Sequence, residues 1–280
     1  MRVLVAGGSG VLGRAVIPKL IGLGHDVIAT SRSAEKARLF KELGAAGLVL
    51  DALDRDSTVA AVVSAAPEAI LHLMTDLGTG DSASNARLRS KGTRNLVDAA
   101  HAAGVTRIIG QSISWVYPSG RIPAAETDPL DLGASGPRRA TVQAVRELEA
   151  AVREITQSVV LRFGQLYGAG TWYSREGRLA EAARAGALPA TETVTSFVHV
   201  DDAAAAVVEA LGWPAGVWNI VDDEPAPGTE WVPVFADAVG APVPAVQQSG
   251  DAGRPVMNDR ARRQGFTPRY PSWRTGFPSL

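Results

Sequence analysis

Met1-Arg2-Val3-Leu4-Val5-Ala6-Gly7-Gly8-Ser9-Gly10-Val11-Leu12-Gly13 opens the chain and decides how the rest is read. The apolar run from Val3 to Ala6 has the character of a buried strand, and it breaks directly into glycines before the helical spacing Leu12, Val16, Leu20 begins. Strand, turn and helix follow without spacers. Such a turn offers backbone N–H groups and the positive end of a helix dipole to an anion, and glycine is needed where a side chain would block the approach. Gly7, Gly10 and Gly13 are spaced GxxGxxG, a variant of the GxGxxG dinucleotide fingerprint that uses the same tight turn and close pyrophosphate approach. Gly7, Ser9, Gly10, Val11, Leu12 and Gly13 are the residues expected on the diphosphate.

A chain of 280 residues buries a large core. Its 28 basic and 29 acidic side chains leave a formal net charge of −1, without the basic excess of a nucleic-acid binder, so no nucleic-acid partner is expected. The absence of cysteine excludes disulfides, thiolate metal sites and a cysteine nucleophile. No group of His, Asp and Glu has metal-ligand spacing, so no metal is expected. The first apolar run is too short for a signal peptide and none approaches membrane-spanning length, which makes a cytoplasmic protein without a membrane partner the expectation.

Downstream, a second apolar strand over residues 25–30 runs into Ser31-Arg32-Ser33. At that strand end a carboxylate would accept from a ribose 2′-hydroxyl, whereas an arginine receives a 2′-phosphate. Arg32, between Ser31 and Ser33, therefore predicts NADP(H) rather than NAD(H). A third strand over 47–50 ends at Asp51, followed by Ala52; Asp51 either accepts from an adenine amino group or caps a helix. A fourth strand is expected over 69–74, with His72 inside it as a core residue and Leu73 and Met74 at the cofactor. One long helix over 85–104, a fifth strand over 106–110, a polar loop over 121–139, a helix over 139–155 and a sixth strand over 158–162 complete a regular alternation. The fold class is α/β: a Rossmann-type doubly wound parallel sheet with a smaller C-terminal lobe. Residues 1–165, joined by about 196–221, form the nucleotide domain; 166–195 and 222–280 form the substrate lobe.

With these pieces in place the chain resembles the extended short-chain dehydrogenase/reductase superfamily, which includes nucleotide-sugar epimerases, dehydratases and many ketone reductases. The resemblance is carried by the glycine turn, by Gly92-Thr93-Arg94-Asn95-Leu96, by Leu161-Arg162-Phe163-Gly164-Gln165-Leu166-Tyr167-Gly168 and by Phe197-Val198-His199-Val200-Asp201-Asp202-Ala203-Ala204. It implies a serine or threonine together with a YxxxK pair, in which the tyrosine moves the proton and the lysine lowers its pKa and holds the nicotinamide ribose. This chain departs from that pattern. Aligned on Glu149, Thr141 stands in the tyrosine position and Val145 in the lysine position.

The candidates for a relocated proton donor or carbonyl ligand are Ser112, Ser114, Tyr117 and Tyr167 at the ends of strands five and six. Either Tyr117 and Tyr167 face the cleft or they are packing residues. Phe163 is expected beside the cofactor, and Thr75, Trp115, Trp172, Tyr173 and Arg175 on the substrate side. His199, Asp201 and Asp202 are read as a structural turn, with an aspartate capping the following helix. The expected activity is NADP(H)-dependent reduction or oxidation of a carbonyl or hydroxyl group on a small, partly aromatic metabolite. The alternatives are an isomerase, epimerase, dehydratase or cyclase on the same scaffold, or a non-catalytic NADP(H) sensor. The resemblance also suggests a homodimer.

Overall fold

The computed structural model describes residues 1–78, 81–248 and 251–280. Its elements run β1 (Arg2–Ala6), α1 (Val11–Gly22), β2 (Asp26–Ser31), α2 (Ala34–Leu39), β3 (Ala46–Val49), α3 (Arg55–Ala65), β4 (Ala69–His72), α4 (Ser82–Arg87), α5 (Thr93–Ala102), β5 (Arg107–Ile113) and α6 (Gly136–Val152). There follow β6 (Gln157–Phe163), β7 (Gln165–Tyr167), α7 (Arg178–Arg184), β8 (Val194–Thr195), β9 (Phe197–His199), α8 (Val200–Glu209), β10 (Gly216–Ile220), β11 (Ala226–Pro227), α9 (Gly228–Ala238), α10 (Asp259–Arg263) and α11 (Trp273–Gly276). The seven-stranded sheet has the order β10-β6-β5-β4-β1-β2-β3. The Rossmann-type α/β fold is the one expected.

The chain divides into two compact units. The first comprises residues 1–112, 132–161 and 204–217. Val3 to Ala6 of β1 are completely buried, as a central parallel strand covered on both faces requires. β1 pairs in parallel with β2 (Val5 opposite Ala29) and with β4 (Val5 opposite Leu71). The strand order reverses between β1 and β4, and in doubly wound sheets ligands bind at such a switch point, off the carboxyl ends of the strands. The core here is aliphatic: Leu4, Ile70, Leu96, Val97, Ile108, Leu148, Val152 and Val160 pack together.

The second unit comprises residues 113–131, 162–203 and 218–280. Its core is aromatic: Tyr167, Tyr173, Phe197, Trp231, Phe235, Trp273 and Phe277 form one cluster. Edge-to-face pairs such as Tyr173 with Phe197, 5.3 Å between ring centroids, put the positive rim of one ring against the negative face of the next.

Several boundaries differ from the expected ones. In place of one helix over 85–104, the chain forms α4, a π-helical turn over Leu88–Gly92, and α5. The start is earlier because Asp81 caps it, accepting from the N–H groups of Ala83 and Ser84. β4 stops at His72, so Leu73, Met74 and Thr75 lie in the loop after it, whereas β5 continues to Ile113 and makes Ser112 a strand residue. α6 begins inside the stretch read as loop, with a proline in its first turn where the missing N–H costs nothing.

Candidate functional site: a glycine turn and the helix α6

The turn after β1 is closed too tightly to admit side chains. Gly7 has φ +94°, and a Cβ on it would stand 2.7 Å from the carbonyl oxygen of Leu73; one on Gly13 would stand 2.4 Å from the carbonyl oxygen of Gly7. The Gly10 N–H donates to the Gly7 carbonyl at 3.0 Å. Gly10 then caps α1 without any side-chain hydrogen bond, and the first turn of α1 holds no acid. The first N–H groups of a twelve-residue helix are thus left for an outside anion. This cradle fits a dinucleotide diphosphate.

Around it the first unit places most of the expected cofactor residues. Ser31 Oγ donates to Ser9 Oγ at 3.3 Å and also accepts from the Ser33 N–H. Ser33 in turn caps α2. Arg32 is exposed, and its only ion pair among the described residues is a long one, 3.4 Å to Asp76. Asp51 accepts from the Leu53 N–H in a local turn and does not cap α3, whose N-cap is Asp54. The Ala52 carbonyl accepts from Asn95 Nδ2 at 2.8 Å, and Leu73 and Met74 are buried beside the glycine turn.

His72, at the end of β4, is a satisfied core residue. Nδ1 accepts from the Met74 N–H, which leaves Nε2 to carry the proton and donate to Thr93 Oγ1 at 2.7 Å. Burial, with the charge of Arg89 added, lowers its pKa to about 4, so the ring is neutral.

The positions that the YxxxK pattern would occupy fall on α6. Ser112 Oγ donates to the buried Glu149 carboxylate at 2.7 Å, joining the end of β5 to this helix. Thr141, Val145 and Glu149 recur every four residues and so share one helical face. Thr141 is half-buried, and Val145 is completely buried. That face carries an alcohol and an isopropyl group where the YxxxK pattern would put a phenol and an ammonium.

The comparisons with known proteins identify the family and agree with the fold. The model of the NAD dependent epimerase/dehydratase family matches residues 3–220. The chain belongs to that family. It is 41% identical over 304 aligned positions to a Streptomyces protein named 3-diazoavenalumate denitrifying reductase, covering 99% of each chain. It is 30% identical to 2-alkyl-3-oxoalkanoate reductase of Stenotrophomonas maltophilia, over 86% of this chain and 77% of that one. Among solved structures, the Bordetella bronchiseptica enzyme WbmG in complex with NAD has the same fold, with a TM-score of 0.80 at 23% identity, covering 99% of this chain and 92% of that one. The protein is thus an extended short-chain dehydrogenase/reductase with relatives named as reductases.

For a member of this family, the second unit is as informative in what it withholds. Tyr117 is buried; its hydroxyl donates to Asn219 Oδ1 at 2.8 Å and accepts from Arg162 Nη1 at 2.7 Å, with the guanidinium also 5.0 Å from the ring centroid. Burial raises its pKa against the pull of Arg162. Tyr167 is completely buried in the aromatic core, its hydroxyl without a hydrogen-bond partner among the described residues, and burial drives its pKa far up. Neither phenol has the depressed pKa or the open hydroxyl of a proton donor, and the packing reading of both is the one this geometry favours.

Tyr173 packs in the same aromatic core, and Arg175 donates twice to the carbonyl of Leu280. Trp115 and Trp172 are exposed; Trp172 lies under Arg178, with 5.4 Å from guanidinium to ring centroid. Ser114 and Phe163 are buried, and Thr75 is half-buried. Asp202 differs from expectation: its carboxylate accepts from the N–H groups of Arg269 and Tyr270, so it fastens the C-terminal segment instead of capping α8, which already begins at Val200. Among the described residues no group of three or more His, Asp or Glu side chains is arranged to hold a metal ion, and no helix is long and apolar enough to cross a membrane.

Two charged residues were missed by sequence reasoning. Arg162 sits in an apolar-looking strand and turns out to hold Tyr117. Arg89, on the π turn, is buried, and nothing in its polar neighbourhood Arg87-Leu88-Arg89-Ser90-Lys91 distinguishes it from an exposed helical face.

Proposed function

We propose that this protein is an NADP(H)-dependent reductase whose acceptor requires hydride but no proton from the protein, namely a carbon bearing a diazonium group. The observation that carries the reading is the α6 face, with Thr141 and Val145 in place of an acid and its ammonium partner. Reduction of a ketone takes up a hydride and a proton. Reduction of an arenediazonium takes up a hydride at carbon and expels dinitrogen, leaving an arene with no proton in the balance. The first reaction suffers when general acid catalysis, worth roughly 100-fold or more, is missing; the second loses nothing. The relative at 41% identity, named for a diazo compound and a denitrifying reduction, supports the same acceptor class.

A bound reduced nicotinamide would supply the hydride. The protein's part is to hold the diphosphate on the Gly7 to Gly13 turn and the first N–H groups of α1. The exposed Arg32, tied among the described residues only by its long contact to Asp76, would turn to a 2′-phosphate. An exposed pair of this kind is worth at most about 1 kcal/mol, so little opposes the exchange.

The test is to supply para-carboxybenzenediazonium and a panel of ketones with NADPH or NADH, following cofactor oxidation, headspace dinitrogen and the arene product against protein-free controls. Expected are one dinitrogen and one arene per NADPH consumed, a preference for NADPH that Arg32→Ala removes, and negligible ketone turnover. Ketone reduction without diazonium reduction would overturn the acceptor assignment.

A further inference from the structure

Among the described residues of the first unit, Arg89 is a buried cation for which neither an ion pair nor a hydrogen bond accounts. It lies on the π turn Leu88–Gly92, against which both α4 and α6 pack, and it is only 6% exposed. Its side chain forms no ion pair and no hydrogen bond among the described residues. Glu149, the buried carboxylate on the neighbouring α6, is instead engaged by Ser112. Burial alone acts on the guanidinium, pushing its pKa down to about 10, still well charged at neutral pH. Its charge is felt by His72, which is neutral and hydrogen-bonded to Thr93 and so gives no compensation.

A buried charge without a partner costs several kcal/mol in an ordinary core, and burial of arginine is normally tolerated only when its fork is filled. A π turn is itself an irregularity that tends to mark functional positions in helices. We propose that Arg89 is the anion anchor of the substrate site, its fork closing on the carboxylate of the organic acid that the protein reduces. The planar five-donor guanidinium matches a carboxylate bidentately, which a lysine at the same place would not. The diphosphate of a cofactor already has the glycine turn and the α1 N-terminus, and the π turn faces α6, where Thr141 and Val145 mark the reaction positions. The inference rests on the reductase reading only in calling the anion a substrate. Both reductase-named relatives described above carry names of carboxylates, which supports that step.

The experiment uses a ligand that does not react. Calorimetric titration of the NADPH-saturated protein with para-hydroxycinnamate, and with its uncharged amide, reads anion recognition without any turnover, so failure of the diazonium reading would leave its outcome intact. Expected are binding of the acid and not of the amide, and a loss of about tenfold to hundredfold in Arg89→Gln, with Arg89→Lys in between. NADPH affinity should stay within about twofold. The melting temperature of cofactor-free Arg89→Gln should be unchanged or raised, because an uncompensated buried charge has been removed; a residue serving only structure would lower it. No binding of the acid to the wild-type protein, equal binding of acid and amide, or loss of NADPH affinity in place of acid affinity would each overturn the assignment.

Discussion

Ser112 Oγ meets the Glu149 carboxylate at 2.7 Å, and through this bond the end of β5 is tied to the last turn of α6. A serine in this place is expected to bind a substrate carbonyl. Here its proton is committed to a buried carboxylate, and the helical face that the bond fixes carries Thr141 and Val145. Removing the donor takes one hydrogen bond from a buried carboxylate, at a cost of about 1–3 kcal/mol. Ser112→Ala should therefore lower stability by that amount in urea titration while leaving cofactor affinity untouched. A fully stable Ser112→Ala protein with turnover lost would instead make Ser112 a catalytic residue.

The two phenols should respond oppositely to loss of their hydroxyls. Tyr117→Phe takes one hydrogen bond from Arg162 and one from Asn219, both buried, and a destabilisation of about 1–3 kcal/mol is expected. Tyr167→Phe removes a hydroxyl that has no partner among the described residues, so stability should hold or improve. Reductase turnover should change less than about tenfold in either variant, below the usual worth of a general acid. A loss above about 100-fold in one of them, with the fold intact, would restore that phenol as the proton donor.

What could be read from the sequence was local. The strand, glycine turn and helix around Gly7 and Gly13 are specified by neighbours in the chain, because the turn needs positive φ and close backbone approach at fixed positions. The missing YxxxK was equally legible, since Thr141, Val145 and Glu149 count along one helix. The tyrosines were ambiguous because their partners are remote: Asn219 lies 102 positions beyond Tyr117, and the ring cage around Tyr167 is completed by Phe277. Arg89 was invisible for a related reason. Its burial comes from the packing of α6 onto the π turn, which no periodicity in residues 82–104 encodes.

The glycine turn makes a sharper prediction than its resemblance to a motif. A methyl group at residue 13 would be placed 2.4 Å from the Gly7 carbonyl oxygen and 2.7 Å from Gly8 Cα, both of them backbone atoms that cannot swing aside. Gly13→Ala should push α1 away from β1, costing about 1–3 kcal/mol by overpacking and lowering NADPH affinity by tenfold or more, on the order of 1.4 kcal/mol. Gly22→Ala, on the same helix with nothing within 4 Å of the added methyl, is the matched control and should bind normally. Equal cofactor affinity in both variants would mean that the diphosphate does not lie on this turn.

Asp222 gives the fold a pH dependence of known sign. Its carboxyl is buried, accepts from the N–H groups of Trp273 and Glu224, and faces the charges of Asp223 and Glu224. Burial outweighs the two hydrogen bonds and pushes its pKa up to about 8 from the ordinary 3.8 of an aspartate. Between those values the folded chain holds a proton that the unfolded chain has released. The contribution is fully present at the acidic end of this window and is lost as pH rises toward 8, with a slope of at most about 1.4 kcal/mol per pH unit. Urea midpoints measured across the window should fall with pH in the wild-type protein, and Asp222→Asn should flatten that part of the profile. Parallel profiles would mean that Asp222 is ionised throughout, and that the Trp273 and Glu224 N–H groups suffice to hold a buried carboxylate.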